Sequence, residues 1–362
     1  VPQRQVLAGS LEEYEDFIQK GFNASVLKAS SDFAFQITTT EAPQLVVREV
    51  HTTGSASNHY EWGDAFFGLM LSHPPGWFSS SNSRHPEPVQ ASEHHSLHWH
   101  FPDGLTNSHH LNSHVTYVRL ESSQFLRALA ASHLCIDQLQ LLQGAWAQEP
   151  TIALISGLSQ KLLQSPDCSS QTAICEQFLE TLVEQLASMV PDTSRQQPTA
   201  AAHVAASIEI LSSRHHQNLS LAELARELNL TTRAVQASFQ ARLQCSPMRW
   251  LKLYRLSQLR QLLMNPVHQG LSIQQLMQQC GLPSSGLSSQ SYRSVYGRTP
   301  IVERTVALSR PVIRNSSESV QFQFRSPQEA IRKLEELQWQ WSQPNSPKAT
   351  ALSITLEVTL TS

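Results

Sequence analysis

Cysteine is scarce in this chain. Five residues, Cys135, Cys168, Cys175, Cys245 and Cys280, are odd in number and scattered without a Cys-x-x-Cys spacing, which excludes a disulfide framework and a zinc or dithiol motif and leaves reduced thiols as the expectation. No apolar run approaches the ~20 residues that cross a bilayer, and the first residues show no charged start followed by an apolar core. A cytoplasmic protein with no membrane partner is expected. The motifs of common enzymes are missing too: no Gly-rich phosphate loop, no Gly-x-Ser-x-Gly elbow, no His-Glu-x-x-His. The chain therefore reads as a non-enzyme that calls for no cofactor. Charged residues are sparse at 15%, but 362 residues of which 40% are hydrophobic can bury two cores of ordinary size.

What is present is a repeat. Leu219-Ser-Leu-Ala-Glu-Leu-Ala, Thr231 to Phe239 and Pro247 return as Leu271-Ser-Ile-Gln-Gln-Leu-Met, Ser284 to Tyr292 and Pro300, offset by 52 residues in the first half and 53 in the second. One residue has been added near Pro283. Ser220 with Glu223, and Ser272 with Gln275, fit the capping box that opens a helix. Leu221, Leu224, Ala225 and Leu228, matched by Ile273, Leu276, Met277 and Cys280, form one apolar stripe at helical spacing. Asn229 and Gly281 then tolerate the left-handed backbone that ends a helix. In the helix that follows, Val235, Phe239 and Leu243 make an inner face. Arg233, Gln236, Ala237 and Gln240 are left outward, where Arg can pair with guanine and Gln with adenine in a major groove.

A bundle of amphipathic helices with polar surfaces would show the same stripes, and charge separates the two readings. Residues 203–310 carry one Lys and eleven Arg against four Glu, whereas residues 1–202 carry nine basic and twenty acidic groups. The net charge of −3 hides this division. A basic block biased to Arg suits a polyanion, because each neutralised phosphate releases condensed counterions.

These residues resemble the AraC/XylS transcription regulators over about 203–306. The landmarks are Leu224-Ala225, Leu230 to Phe239, Ser246-Pro247, Tyr254-Arg-Leu-Ser-Gln-Leu-Arg-Gln-Leu-Leu263, Cys280-Gly281-Leu282 and Tyr292-Arg-Ser-Val-Tyr-Gly-Arg-Thr-Pro300. The resemblance implies an all-α domain with two helix-turn-helix motifs joined by a helix over Met248–Met264. It also implies that recognition helices at Thr232–Arg242 and Ser285–Val295 enter successive major grooves of double-stranded DNA. Arg233, Gln236 and Gln240, with Ser289 and Gln290 in the second copy, are the expected base contacts. Arg242, Arg249, Lys252, Arg293 and Arg298 are the expected phosphate contacts. Arg255 is expected to pack between the two units.

The second copy departs from the family pattern. Ser288 stands where the family carries an aromatic or large apolar residue, and Gly286 sits inside the helix at a cost of roughly 1 kcal/mol relative to Ala. Its outward positions, Gly286, Ser289, Gln290 and Arg293, offer few long readers. The first helix is therefore expected to read bases and the second to hold phosphates.

The expected class is α+β. Short β-rich segments at Phe33–Thr39, Leu45–His51, Ala65–Leu71 and Val115–Glu121 suggest a sandwich or barrel over 1–125, and many relatives carry a small cupin-like barrel for an effector there. Leu11–Gly21 reads as an acidic helix. From Leu126 to about 190 the pattern is helical, and Cys175, Leu179, Leu182, Leu186 and Met189 follow a 4-3-4-3 seam. That seam suits a homodimer or packing on the chain's own barrel. Pro191–Pro198 has linker composition and is expected to let the domains move. The DNA-binding domain spans 203–310, and the tail 311–362 reads as a small β-α-β unit.

Seven histidines lie between His94 and His114. His98 and His100 on one strand face, with Asp103 nearby, are metal candidates, but the segment Gly76–Asn112 is rich in Ser, Asn, Pro and Gly and reads as a mobile surface loop. The reading as a whole is a transcription regulator that takes a signal, from a small-molecule effector of unknown identity, in its N-terminal domain and acts on DNA, with RNA polymerase a candidate partner. The alternatives are a metal-binding cupin sensor or enzyme fused to a DNA-binding module, and an architectural or protein-interaction factor.

Overall fold

The computed structural model describes residues 4–308 apart from 23, 43, 62–64, 83–84, 92, 103, 166 and 191–197. The expected β-α-β tail, the linker 191–197 and Asp103 lie outside the described residues. The chain opens with β1 (Arg4–Gly9) and α1 (Leu11–Phe22), the expected acidic helix, begun where the Ser10 amide donates to Glu13 at 2.7 Å. Ten strands follow: β2 (Ala24–Ala29), β3 (Ala34–Glu41), β4 (Leu45–Thr53), β5 (Ser55–Glu61), β6 (Phe66–His73), β7 (Trp77–Asn82), β8 (His85–Ala91), β9 (Ser96–His100), β10 (Leu105–Leu111) and β11 (His114–Glu121).

They form two antiparallel sheets, ordered β1-β3-β4-β11-β6-β9 and β2-β5-β10-β7-β8. Both have open edges, so the expected cupin-like barrel is corrected to a pair of sheets that do not close. The four expected strands, β3, β4, β6 and β11, are consecutive neighbours in the first sheet. The second sheet escaped the sequence reading altogether, because its buried positions hold Asn58, Ser79, Ser80, Thr106, Ser108 and His110 in place of aliphatic residues. Buried polar groups persist when they are hydrogen-bonded, and here hydroxyls meet imidazoles. Ser80 Oγ lies 3.0 Å from His98 Nδ1, Ser96 Oγ 2.9 Å from His98 Nε2 and Ser113 Oγ 2.8 Å from His110 Nδ1. The segment expected as a mobile loop with solvated histidines is thus four strands, β7 to β10, with His98, His100 and His110 buried.

Helices α2 (Ser122–Ala131), α3 (Ile136–Gln140), α4 (Glu149–Ser156), α5 (Leu158–Leu163), α6 (Cys168–Met189) and α7 (Pro198–Ser213) follow. Asp167 caps α6, accepting from the Ser170 amide at 2.9 Å. The seam on α6 is occupied: Cys175, Leu179, Leu182 and Leu186 are buried and Met189 partly so, against α2, α4 and α5. Homodimerisation through that seam is therefore corrected to packing within the chain.

The last helices are α8 (Leu221–Glu227), α9 (Thr232–Leu243), α10 (Pro247–Met264), α11 (Ile273–Gln279), α12 (Gly286–Tyr296) and α13 (Pro300–Leu308). One continuous core runs from Val47, Leu69 and Trp99 in the first sheet through Phe125 and Leu129 of α2 and Leu182 of α6. It continues to Leu224, Val235, Phe239 and Trp250 of the first repeat unit. The second unit has a separate core of Leu256, Leu259, Leu263, Leu276, Met277, Cys280, Leu282 and Tyr292. The expected free movement of the DNA-binding region is corrected accordingly: the first unit is packed into the same core as the sheets.

Candidate nucleic-acid interface

Each copy builds its turn by the expected chemistry. Ser220 and Ser272 close capping boxes with Glu223 and Gln275 at α8 and α11. Asn229 and Gly281 take positive φ at 54° and 68°. At Gly281 a Cβ would lie 2.4 Å from the His215 carbonyl oxygen, so only glycine fits both the backbone and the contact. The recognition helices α9 and α12 also end alike, in left-handed Gln244 and Gly297.

Their starts differ. Thr231 caps α9 by accepting from the Ala234 amide at 3.1 Å, whereas Ser285 makes no side-chain cap to α12. Ser288, the polar residue at an inner position, is buried and donates from Oγ to the Pro283 carbonyl at 2.6 Å. The residue added near Pro283 thus brings a carbonyl over the helix, and a hydroxyl at 288 answers it.

On α9, Val235, Phe239 and Leu243 are buried while Arg233, Gln236, Ala237 and Gln240 are exposed, all as expected. On α12, Gly286, Gln290 and Arg293 are exposed, and Ser289 is half-buried. The sequence reading missed Leu287, which is 74% exposed. Arg249 and Lys252, in the first turns of α10, are exposed, and Arg298 is half-buried, 3.9 Å from Glu303. Arg242 is a correction: it is buried and its guanidinium donates to the carbonyl of His133, tying α9 to the helical region, so it is not placed for a phosphate.

The connecting helix α10 fixes the two units relative to each other and to the sheets. Arg255 donates to the carbonyls of His215 and Gln217 at 2.7 and 2.6 Å, the structural role expected of it. Trp250 Nε1 donates to the Ser123 carbonyl at 3.1 Å. Arg260 is buried and lies 2.6 Å from Glu41, 3.7 Å from Glu303 and 3.8 Å from Glu121, with its guanidinium 5.0 Å from the Tyr296 ring centroid. Burial by itself would make the Arg260 guanidinium shed its proton more readily, but Glu41, Glu303 and Glu121 outweigh it and raise its pKa. Burial still holds the Glu121 carboxyl above its usual range, although Arg260 at 3.8 Å pulls it down.

Between the two sheets lies a cavity of about 50 Å³. Tyr14, Tyr60, His100 and Tyr117 line it with Arg48 and aliphatic side chains. Burial raises the three phenols and, with help from Arg119, lowers the Arg48 guanidinium to about 10. Beside it on the first sheet, His51, His114 and His73 stack in a row at 4.0 and 4.1 Å, with His95 edge-on to His73 at 5.0 Å. The metal candidates His98 and His100 are buried, and both ring nitrogens of His98 meet serine hydroxyls. Among the described residues no three His, Cys, Asp or Glu side chains are grouped to hold a metal ion.

Two capped helix-turn-helix units on one connecting helix, with Arg and Gln on the open side, make a double helix-turn-helix domain, an architecture suited to the grooves of DNA. A family model described as a helix-turn-helix domain matches residues 224–305. The chain thus carries a helix-turn-helix domain behind an N-terminal domain of two β-sheets. No curated protein matches it. Among solved structures, the AraC-like transcriptional activator CuxR is 12% identical, covering 70% of this chain and 94% of its own with a TM-score of 0.40. ToxT from Vibrio cholerae is 12% identical, covering 72% and 98% with a TM-score of 0.39. An AraC-type regulator from Chromobacterium violaceum is 23% identical, covering 32% and 99% with a TM-score of 0.29. No described helix is long and apolar enough to cross a membrane.

Proposed function

We propose that this chain is a sequence-specific regulator whose two recognition helices enter successive major grooves on one face of DNA. In this reading α9 supplies most of the base contacts, through Arg233, Gln236 and Gln240, and α12 adds Ser289 and Gln290. Arg249, Lys252, Arg293 and Arg298 hold the backbone. The observation that carries it is the division of α9: three long polar readers are exposed on one side, opposite a fully buried Val235, Phe239 and Leu243. That side is free for a groove while the other is anchored in the core.

The N-terminal sheets receive the signal in this reading, with the cavity between them as the place for an effector. The cavity lies on the face of the first sheet opposite the core shared with the first unit, so a ligand that repacks it shifts how α9 is presented through the strands between them, and promoter occupancy follows. RNA polymerase is the partner through which occupancy changes transcription. Selection of binding sites from random DNA tests the reading. A motif enriched by the parent and blurred at one position in Arg233→Ala supports it, and enrichment of no motif overturns it.

A further inference from the structure

The second recognition helix has few long polar side chains, yet one of its exposed large side chains is apolar. Leu287 is 74% exposed, next to Gly286 and one turn ahead of exposed Gln290. Among the described residues no packing contact calls for either side chain. A Cβ added at Gly286 would meet no atom within 4 Å, so the glycine is not required by packing or by its backbone angle. The structure places it at the first position of α12 and not inside the helix as expected, and no clash among the described residues calls for it there. Its place in the first copy is held by Arg233, and the place of Leu287 by half-buried Ala234, at the offset of 53 residues that relates the two helices. The second copy has therefore exchanged a long charged reader and a small spacer for a bare backbone and a protruding apolar side chain.

We propose that Leu287 is a specificity-determining residue that packs on the C5 methyl group of thymine, with Gly286 letting the start of α12 approach the base edges closely. The inference rests on the reading that α12 faces a major groove. The thymine methyl is the one apolar group that a base pair offers there, and apolar side chains recognise it by contact. A leucine held out in water gains by covering it, whereas a cytosine or a uracil at the same place leaves the leucine facing only polar edges. The neighbours fit this use. Gln290 stands beside Leu287 for an adenine, and Arg293 lies one turn further on for a phosphate or a guanine. The second helix then reads by shape and methyl contact where the first reads by hydrogen bonds.

The test uses the full chain and its selected site, with each thymine of the half facing α12 replaced in turn by uracil, which lacks only the methyl. The parent is expected to bind about fourfold more weakly at one position or two adjacent ones, the effect of one buried methyl-sized group. Leu287→Ala is expected to lose a similar factor on the thymine site and to become indifferent to uracil. Leu287→Met, which keeps an apolar tip, is expected to retain the preference. A parent indifferent to every thymine methyl in that half overturns the inference while leaving sequence-specific binding intact. So does a Leu287→Ala protein that keeps the parent's sensitivity, or one that binds DNA as the parent does but no longer binds a second copy or RNA polymerase. Failure to select any site overturns the underlying reading of α12 and the inference with it.

Discussion

The two helix-turn-helix units are alike in sequence and unlike in what holds them. Both have the same capping boxes, the same left-handed turn and the same left-handed helix end. The first is part of the core that begins in the sheets, while the second packs on a core of its own and meets the rest through α10, Arg260 and α13. A duplication thus yields two units embedded in the molecule to unequal extents. Whatever alters the sheets is felt at once by the first unit and reaches the second through α10, the ion-pair cluster around Arg260 and a few direct contacts such as Phe66 on Tyr296.

Acid is expected to break the comparison most forcefully. Burial lowers His98 and His100 to about 3 and His110 to about 4, and burial with neighbouring imidazoles does the same to His73 and His114, at about 3 and about 4, against an ordinary value of 6.5. Below pH 6.5 the unfolded chain binds protons that the folded sheets refuse, so the stability present above that pH falls as pH drops towards 3. Circular dichroism with hydrogen exchange should show the sheets and α9 losing protection together on acidification, ahead of α11 and α12. Simultaneous loss in both units would mean that their cores are not separate.

Substitution of equivalent residues sharpens the same point. Phe239→Ala and Tyr292→Ala each remove a buried ring from an inner face and should cost about 3–5 kcal/mol. In urea unfolding Phe239→Ala should lower the transition of the sheets, and Tyr292→Ala only that of the second unit. Arg260→Met leaves Glu41, Glu121 and Glu303 without their shared cation, and breaking a buried pair from one side costs about 3–5 kcal/mol at the upper end. Because this cluster joins the units, the variant should loosen the second unit while the first keeps its exchange protection.

Smaller effects concern DNA. Arg233→Ala or Gln236→Ala should relax the base preference at one position by about 1–3 kcal/mol, and Gln290→Ala by less. Equal losses from both helices would contradict the division into a hydrogen-bonding reader and a contact reader. Arg249→Ala should weaken all sequences alike and lower the slope of log affinity against log salt by about one. An unchanged slope would remove Arg249 from the backbone contacts.

Most of the C-terminal architecture was legible in the residues because its signals are local. Ser220 with Glu223, Asn229 and the 3.6-residue spacing of Val235, Phe239 and Leu243 act within a turn or two of the chain. The expected boundaries of α9, α10 and α12 agree with the structure to within a residue or so. The N-terminal half was legible only where its core is aliphatic, in β3, β4, β6 and β11. Ser80, Ser96, Ser113, His98 and His110 carry polar letters at buried positions, and nothing in the sequence says that their hydroxyls and imidazoles face each other across strands. Arg242 failed for a related reason: at the end of a basic helix it looks like a phosphate contact, and only the approach of His133, in the turn between α2 and α3, captures it. Leu287 gives no local signal of its exposure, because an apolar residue in an amphipathic helix reads as core.

By itself, the sequence determined that this chain carries two helix-turn-helix units, which side of α9 is open, and that the copies differ at Pro283, Gly286 and Ser288. Periodicity, caps and turn residues settle such matters because they act over a few residues. Only the tertiary structure decided that the α6 seam is filled from within, that the histidine-rich segment is sheet, and that the first unit shares a core with the N-terminal half while the second does not. Those outcomes depend on which distant surfaces meet, and an apolar stripe or a buried hydroxyl specifies that it needs a partner without naming which one.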